Sequence, residues 1–318
     1  MLLAINLELI LYVALGIILL GLTIYFLPII VASYIIYTRT LMRQSKDRWD
    51  RDKPSATDPE SILMDNIGQD WLKENIEFET DLHIVSNGLN LYSKYYNYGY
   101  DKCAIMVSGR TESLRYGYYF AEPYKKAGYN ILVLDQRGHG LSDGEINTCG
   151  FEEGKDLANW INHLKENLNV KSVVLHGICI GSASSLYAAT SNDCDIIDAI
   201  IAEGMFINFS ESMKNHYRER KKPVYFLDQL VNMWMKIYTG HTMHYGPINV
   251  IDKLETPLLM LHSKEDLYSK IDKANILFEK ATSKNKKFVE FDKGRHSFIR
   301  INNTEKYDNE IIDFLNNL

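Results

Sequence analysis

The stretch Ser172-Val-Val-Leu-His-Gly-Ile-Cys179-Ile-Gly-Ser-Ala-Ser-Ser-Leu-Tyr-Ala-Ala189 decides the fold of this chain. Its first half is a short apolar run with the length and β-branched content of a buried strand, and its second half is compatible with a helix. Between them Gly177 and Gly181 flank Cys179. A chain that turns from strand to helix in so few residues needs small neighbours on both sides of the apex, because the apex residue takes strained dihedrals. A cysteine there stands at a helix N-terminus, where the dipole and unpaired N–H groups favour a thiolate. Two glycines around a buried cysteine also arise from packing alone. The strand before and the helix after are what favour a nucleophile elbow.

Outward from this stretch, short apolar runs alternate with amphipathic ones, the pattern of a parallel sheet wrapped by helices. Buried strands are expected at Cys103–Ser108, Ile131–Leu134, Ser172–His176, Ile196–Ala202, Pro257–His262 and Phe288–Phe291. Ile76–Val85 and Leu89–Asn97, joined by Ser86-Asn87-Gly88, read as an antiparallel hairpin at the sheet edge. That makes a mostly parallel eight-stranded sheet. Helices are expected at about 113–127, 152–167, 180–191, 270–281 and 304–317. More than fifty residues separate strand 196–202 from strand 257–262, too many for one crossover helix. Within them Met205, Phe206, Phe209 and Met213 form one apolar stripe, and Leu227, Leu230, Val231, Trp234 and Tyr238 another. The segment from about 205 to 250 reads as a small helical lid.

The N-terminal part has a different character. Leu9 to Thr38 is thirty residues without a formal charge, where a bilayer core needs about 20 helical residues. A cleaved signal peptide would carry a basic start and a shorter apolar run, yet Met1 to Glu8 holds no Lys or Arg. The expectation is a short tail over 1–8, a transmembrane helix over 9–38 and a juxtamembrane linker over 39–70, followed by a globular domain over 71–318. Arg39, Arg43, Lys46, Arg48, Arg51 and Lys53 follow the span directly, so the domain is expected on the cytoplasmic side of the cell membrane, single-pass. Pro28 would kink that helix or mark the end of a span. Trp49 and the basic residues around it are expected to rest on anionic headgroups.

Composition narrows the function classes. The chain has 318 residues, 46% of them hydrophobic, enough for a sizeable core. Its net charge of -6 gives no electrostatic footprint for nucleic acid, so no nucleic-acid partner is expected. The four cysteines, Cys103, Cys149, Cys179 and Cys194, lack the close spacing of a zinc or redox site and point to a reducing compartment.

Two further motifs turn the elbow into a resemblance. They are Val133-Leu-Asp135-Gln-Arg-Gly-His139-Gly-Leu-Ser142 and Thr256-Pro-Leu-Leu-Met-Leu-His-Ser-Lys-Glu-Asp266. From about Leu89 onward, roughly 70% of its length, the chain resembles the α/β-hydrolase superfamily, within it the serine-aminopeptidase-like and monoacylglycerol-lipase-like hydrolases. It departs from most of them in having cysteine at the elbow, where it looks like the dienelactone hydrolases. The resemblance implies an α/β-hydrolase fold and a chain order of nucleophile, acid, histidine.

On that order Cys179 is the nucleophile, Asp266 the acid and His296 the base. Asp266 follows strand 257–262 and is preferred to its neighbour Glu265 on the His-x-x-x-Asp spacing. Among nine histidines His296 alone lies just past the last strand and before the last helix. His139 and His176 read as structural. His241 and His244 lack a third ligand, so no metal is expected. The oxyanion donors would be the backbone N–H groups of Ile180 and Arg110, the second in Ser108-Gly109-Arg110-Thr111, where relatives commonly have His-Gly. The Arg110 side chain would meet an acidic substrate group or solvent. The expected activity is cleavage of a small-molecule or lipid-like ester, thioester or lactone, without a cofactor. A non-catalytic binding protein and an acyltransferase or peptidase on the same scaffold are the alternatives.

Overall fold

The structure is a computed structural model and describes residues 2–43, 57–191, 193–221 and 227–318. In chain order the helices are α1 (Leu2–Leu41), α2 (Pro59–Asn75), α3 (Gly117–Phe120), α4 (Glu122–Lys126), α5 (Phe151–Leu168), α6 (Ile180–Thr190), α7 (Phe209–Glu219), α8 (Leu227–Thr239), α9 (Ile271–Lys280), α10 (Ile299–Asn302) and α11 (Thr304–Asn316). The strands are β1 (Glu79–Ser86), β2 (Leu89–Tyr96), β3 (Lys102–Val107), β4 (Asn130–Leu134), β5 (Ser172–Ile178), β6 (Ile197–Glu203), β7 (Leu258–Ser263) and β8 (Lys286–Phe291). They form one sheet in the order β1-β2-β4-β3-β5-β6-β7-β8. The β1–β2 and β2–β4 pairs are antiparallel and the rest parallel.

Both faces of the sheet are covered, which is why its central strands read as continuous apolar runs. In β3 the period of two sends Cys103, Ile105 and Val107 toward Trp160, Ile161 and Leu164 of α5. Ala104 and Met106 face the opposite layer with Tyr118, Tyr124 and Tyr307.

The helix expected over 113–127 is broken. It is a 3₁₀ turn over Leu114–Tyr116 followed by α3 and α4. Pro123 has no N–H to continue the ladder, and the Tyr119 carbonyl accepts from the Arg300 guanidinium instead.

The helix read at 9–38 extends over Leu2–Leu41 and runs through Pro28 without ending there. Large apolar residues from Leu7 through Ile35 are exposed along it, so this part is long and apolar enough to cross a membrane. Its last turns are not a tether. Ser33, Tyr37 and Leu41, spaced by four, are fully buried. Trp234 Nε1 of α8 donates to Ser33 Oγ at 2.9 Å, and Tyr37 stacks on Tyr238 with centroids 5.5 Å apart. Beyond the helix, Arg43 donates to the carbonyls of Ser142 (3.0 Å) and Gly140 (2.6 Å), and Met42 bridges to Ile146.

The expected linker over 39–70 is also corrected, because α2 belongs to the domain. Asp58 caps it, accepting from the Glu60 and Ser61 amides, with Pro59 in its first turn. Met64 and Trp71 are buried, and Asp65 pairs with both donor sites of Arg115 at 2.5 and 2.7 Å. Trp49 and the basic residues from 46 to 53 lie outside the described residues.

After β4, Arg137 is buried and grips Asp156 of α5 through two bonds of 2.6 and 2.7 Å, with Ser86 Oγ donating to the same carboxylate at 2.5 Å. Arg137→Met strands that carboxylate in the interior, and the expected cost is about 3–5 kcal/mol of unfolding free energy. Chemical denaturation followed by circular dichroism measures it. A loss below about 1 kcal/mol would place the pair among those that contribute little.

Candidate active site

The elbow is held from three sides. Cys179 has φ 55° and ψ −111°, a strained conformation between β5 and α6. Its N–H donates to the Glu203 carbonyl at 2.9 Å, and Ser182 Oγ donates to the Gly177 carbonyl at 2.6 Å. The glycines are required by close approach. A Cβ on Gly177 would lie 2.4 Å from the Gly181 carbonyl oxygen, and one on Gly181 would lie 2.0 Å from that of Val107. The Ile180 N–H begins α6, among the amides that helical bonding leaves without an acceptor.

Asp266 follows β7 and is buried. Its Oδ1 accepts from the Tyr268 and Ser269 amides at 2.9 and 2.8 Å, while its Oδ2 lies 2.7 Å from His296 Nδ1. Glu265, the rejected neighbour, instead accepts from the Gly294 amide at 2.8 Å and so holds the turn that carries His296. Burial by itself would raise the Asp266 carboxyl, but the facing His296 charge and hydrogen bonds hold it below the usual range. Burial would likewise lower His296. The Asp266 charge, Cys179 and hydrogen bonds to both outweigh it and hold the imidazole well above its ordinary value.

The loop after β3 is pinned by the turn after β4. Asp135 accepts from the Leu114 and Leu141 amides at 2.7 and 2.9 Å, and Gln136 Nε2 donates to the Ser108 carbonyl at 2.5 Å. His139 Nε2 accepts from the Thr111 amide at 3.1 Å, with its Nδ1 against the Arg137 carbonyl at 2.9 Å. Thr111 has φ +66°, unusual for a β-branched residue, so this contact restrains a strained backbone. The Gly109 amide donates to Glu112 Oε2 at 3.1 Å. Arg110 lies between these two committed amides. Its guanidinium is half-buried, donates from Nη1 to the Thr40 carbonyl of α1 at 3.2 Å and lines the space over the elbow.

His139 must be neutral to accept from Thr111, and burial pushes it down to about 4. The contact therefore persists through neutral pH. His139→Phe removes the acceptor and is expected to lower kcat on any ester that the chain turns over by about 10²-fold, the loss typical of a misplaced oxyanion donor. An unchanged kcat would remove the loop from the chemistry.

Sequence reasoning missed Glu203 and Gly204. Glu203, at the end of β6, is fully buried. Its carbonyl receives Cys179, and its carboxyl accepts from Tyr307 Oη at 2.5 Å. Burial pushes that carboxyl up to about 7, against the lowering effect of the Tyr307 bond and the His296 charge. Gly204, at φ +59°, leaves only 3.2 Å between a virtual Cβ and His296 Cε1, so a side chain would press on the imidazole. His176 sits in the same layer between Tyr124 and Tyr307, at 2.8 and 3.1 Å. His241 stacks on Phe151 and pairs with Glu152, and no group of metal-ligating residues occurs among the described residues.

Over Cys179 and His296 lies a cavity of about 910 Å³. Phe209, Met213 and Tyr217 of α7 form one wall. Ile35, Ile36, Arg39 and Thr40 of α1 form another, which the sequence did not suggest.

Comparison with known proteins agrees with this architecture. A family model described as the alpha/beta hydrolase fold matches residues 105–240. The chain is 30% identical over 209 residues to the uncharacterized protein YqkD of Bacillus subtilis, covering 65% of this chain and 67% of that one. To the uncharacterized membrane protein YNL320W of Saccharomyces cerevisiae it is 26% identical over 194 residues, covering 60% of this chain and 62% of the relative. Among solved structures, the esterase Pf2001 of Pyrococcus furiosus superposes with a TM-score of 0.64 at 21% identity, covering 77% of this chain and 93% of that one. An esterase from Exiguobacterium antarcticum gives 0.56 at 15% identity, covering 74% and 100%. At such identities the solved structures show the fold.

Proposed function

The chain belongs to the α/β-hydrolase superfamily, and from that premise we propose that it is a membrane-anchored hydrolase that cleaves a carboxylic ester, thioester or lactone through Cys179, His296 and Asp266. The observation that carries the proposal is His296, 2.7 Å from an acid whose other oxygen is already saturated by backbone amides, lining one cavity with the elbow cysteine.

His296, oriented by Asp266, takes the Cys179 proton. The Cys179 sulfur attacks the acyl carbon, a C–S bond forms, and the carbonyl electrons move onto the oxygen, held by the Ile180 and Arg110 N–H groups. When the intermediate collapses, the bond to the alcohol or thiol breaks, and the leaving group takes the proton from His296. Water then gives a proton to His296 and its oxygen to the acyl carbon. The C–S bond breaks, the acid leaves and the thiolate is restored. Amines leave less readily than alkoxides or thiolates, which ranks peptide hydrolysis lower. The apolar stretch of α1 would cross the membrane once with the domain on the cytoplasmic side, as the basic residues after it imply. A C-terminal reporter active only in the cytoplasm tests that orientation.

The full chain, in detergent, assayed on short- and medium-chain p-nitrophenyl esters and thioesters, tests the activity. The expected result is turnover that iodoacetamide stops. An inert wild type together with an active Cys179→Ser variant would make the natural cysteine a disabling replacement and the chain a binding protein. Product formation on an added alcohol that outpaces hydrolysis would identify an acyltransferase.

A further inference from the structure

The cavity has an uneven electrostatic character. Three guanidiniums from three separate elements line it: Arg39 in the last turn of α1, Arg110 in the loop beside the elbow, and Arg220 at the end of α7. Glu112 is the one carboxylate among the lining residues, and it is bound to the Gly109 amide. The arrangement is built rather than scattered. The Arg110 head is fixed on the Thr40 carbonyl at the C-terminal end of α1, where a helix favours a cation. The Arg220 charge reaches both Tyr217 and Tyr268, which line the same space. Guanidinium forks match the oxygens of a phosphate better than any neutral headgroup.

The apolar character comes from one side. Ile35 and Ile36 line the cavity and continue the exposed apolar surface of α1 that begins at Leu7. At 40 residues α1 is about 60 Å long, twice the ~30 Å of a bilayer's hydrocarbon core. The exposed apolar surface runs to Ile35, one turn before Arg39, so a bilayer core that reaches Ile35 puts the docked end at headgroup depth, where an acyl chain held in the bilayer would meet a charged head.

From these features we infer that the cavity binds an anionic acyl amphiphile drawn from the membrane, its phosphate-like headgroup held by Arg39 and Arg220 and its chain running along Ile35 and Ile36 toward the bilayer. The inference deepens the hydrolase reading, but its test reads binding alone and so stands apart from turnover.

Full-length protein in phosphatidylcholine vesicles is treated with iodoacetamide, and alkylation of the Cys179 peptide is followed by mass spectrometry. Dodecyl phosphate, dodecanol and phenyl phosphate are the probes. Dodecyl phosphate is expected to half-protect Cys179 at a concentration at least tenfold lower than either of the others. The double variant Arg39→Ala, Arg220→Ala should abolish that preference, while Arg39→Lys, Arg220→Lys should keep most of it and so exclude misfolding as the cause. Equal protection by dodecanol overturns the anionic headgroup. Equal protection by phenyl phosphate overturns the membrane source in favour of a soluble phosphate. Protection by dodecyl phosphate in a protein that hydrolyses no ester would leave the inference standing and overturn the hydrolase reading.

Discussion

Cys179→Ala is expected to lower kcat on a p-nitrophenyl ester by about 10⁴-fold or more, to the background set by the oxyanion donors and the cavity. Loss of the nucleophile in a triad costs on the order of 10⁶ in kcat, because the remaining members have nothing to act through. The substitution removes only a sulfur, at a position held by backbone contacts to Glu203 and by the glycines on either side. The fold should survive, and unchanged circular dichroism and melting temperature would show that the loss is chemical. Among the other cysteines Cys103 and Cys149 are buried and Cys194 is half-buried. Burial pushes the Cys103 and Cys149 thiols far up, so they are poor targets for an alkylating reagent. A variant that keeps a tenth or more of wild-type kcat would place the nucleophile elsewhere.

Asp266→Asn is expected to cost about 10³–10⁴-fold in kcat. The carboxylate accepts from His296 Nδ1 and keeps Nε2 available to the sulfur, whereas an amide that donates to Nδ1 selects the opposite tautomer. The same change moves the pH dependence. With the acid in place, the imidazolium persists well above the ordinary histidine range. Without it, the alkaline limb of kcat/KM should move to lower pH.

Stability follows with opposite signs at the two ends. The raised His296 contributes fully below its unfolded value, about 6.5, and the contribution is lost as pH rises through the folded value. The lowered Asp266 contributes above its unfolded value, about 3.9, and that is lost as pH falls through its folded value. The stability difference between wild type and Asp266→Asn, measured by urea denaturation, should therefore be largest between about pH 4 and 6.5. A difference that grows steadily toward alkaline pH would contradict the pairing.

The sheet was readable in the sequence because its central strands are buried on both faces and stand out as apolar runs between Gly and polar residues. The elbow was readable because only glycine fits against the Gly181 and Val107 carbonyls. Other features depend on contacts that no local pattern carries. The docking face of α1 lies within a uniformly apolar run, so nothing marks Ser33, Tyr37 and Leu41 as different from their neighbours until α8 is packed against them. Asp266 and Glu265 are adjacent carboxylates that part only when one faces His296 and the other faces the Gly294 amide. His139 read as a residue that shapes its own turn. Its partner is the Thr111 amide, 28 residues earlier in the chain and beside the elbow. Glu203 gave no signal, since an acidic residue ending a strand is usually solvated, and here it is fully buried.

The central claim is that the Cys179 sulfur forms a covalent acyl intermediate. Rapid acid quench of the full chain turning over a medium-chain p-nitrophenyl ester, followed by peptide mass spectrometry, tests it most directly. The predicted result is one acyl group on the peptide that contains Cys179, accumulating within the first turnover and absent from Cys179→Ala. Turnover at full rate with no acyl group on Cys179 at any quench time, or with the group on another residue, would contradict it.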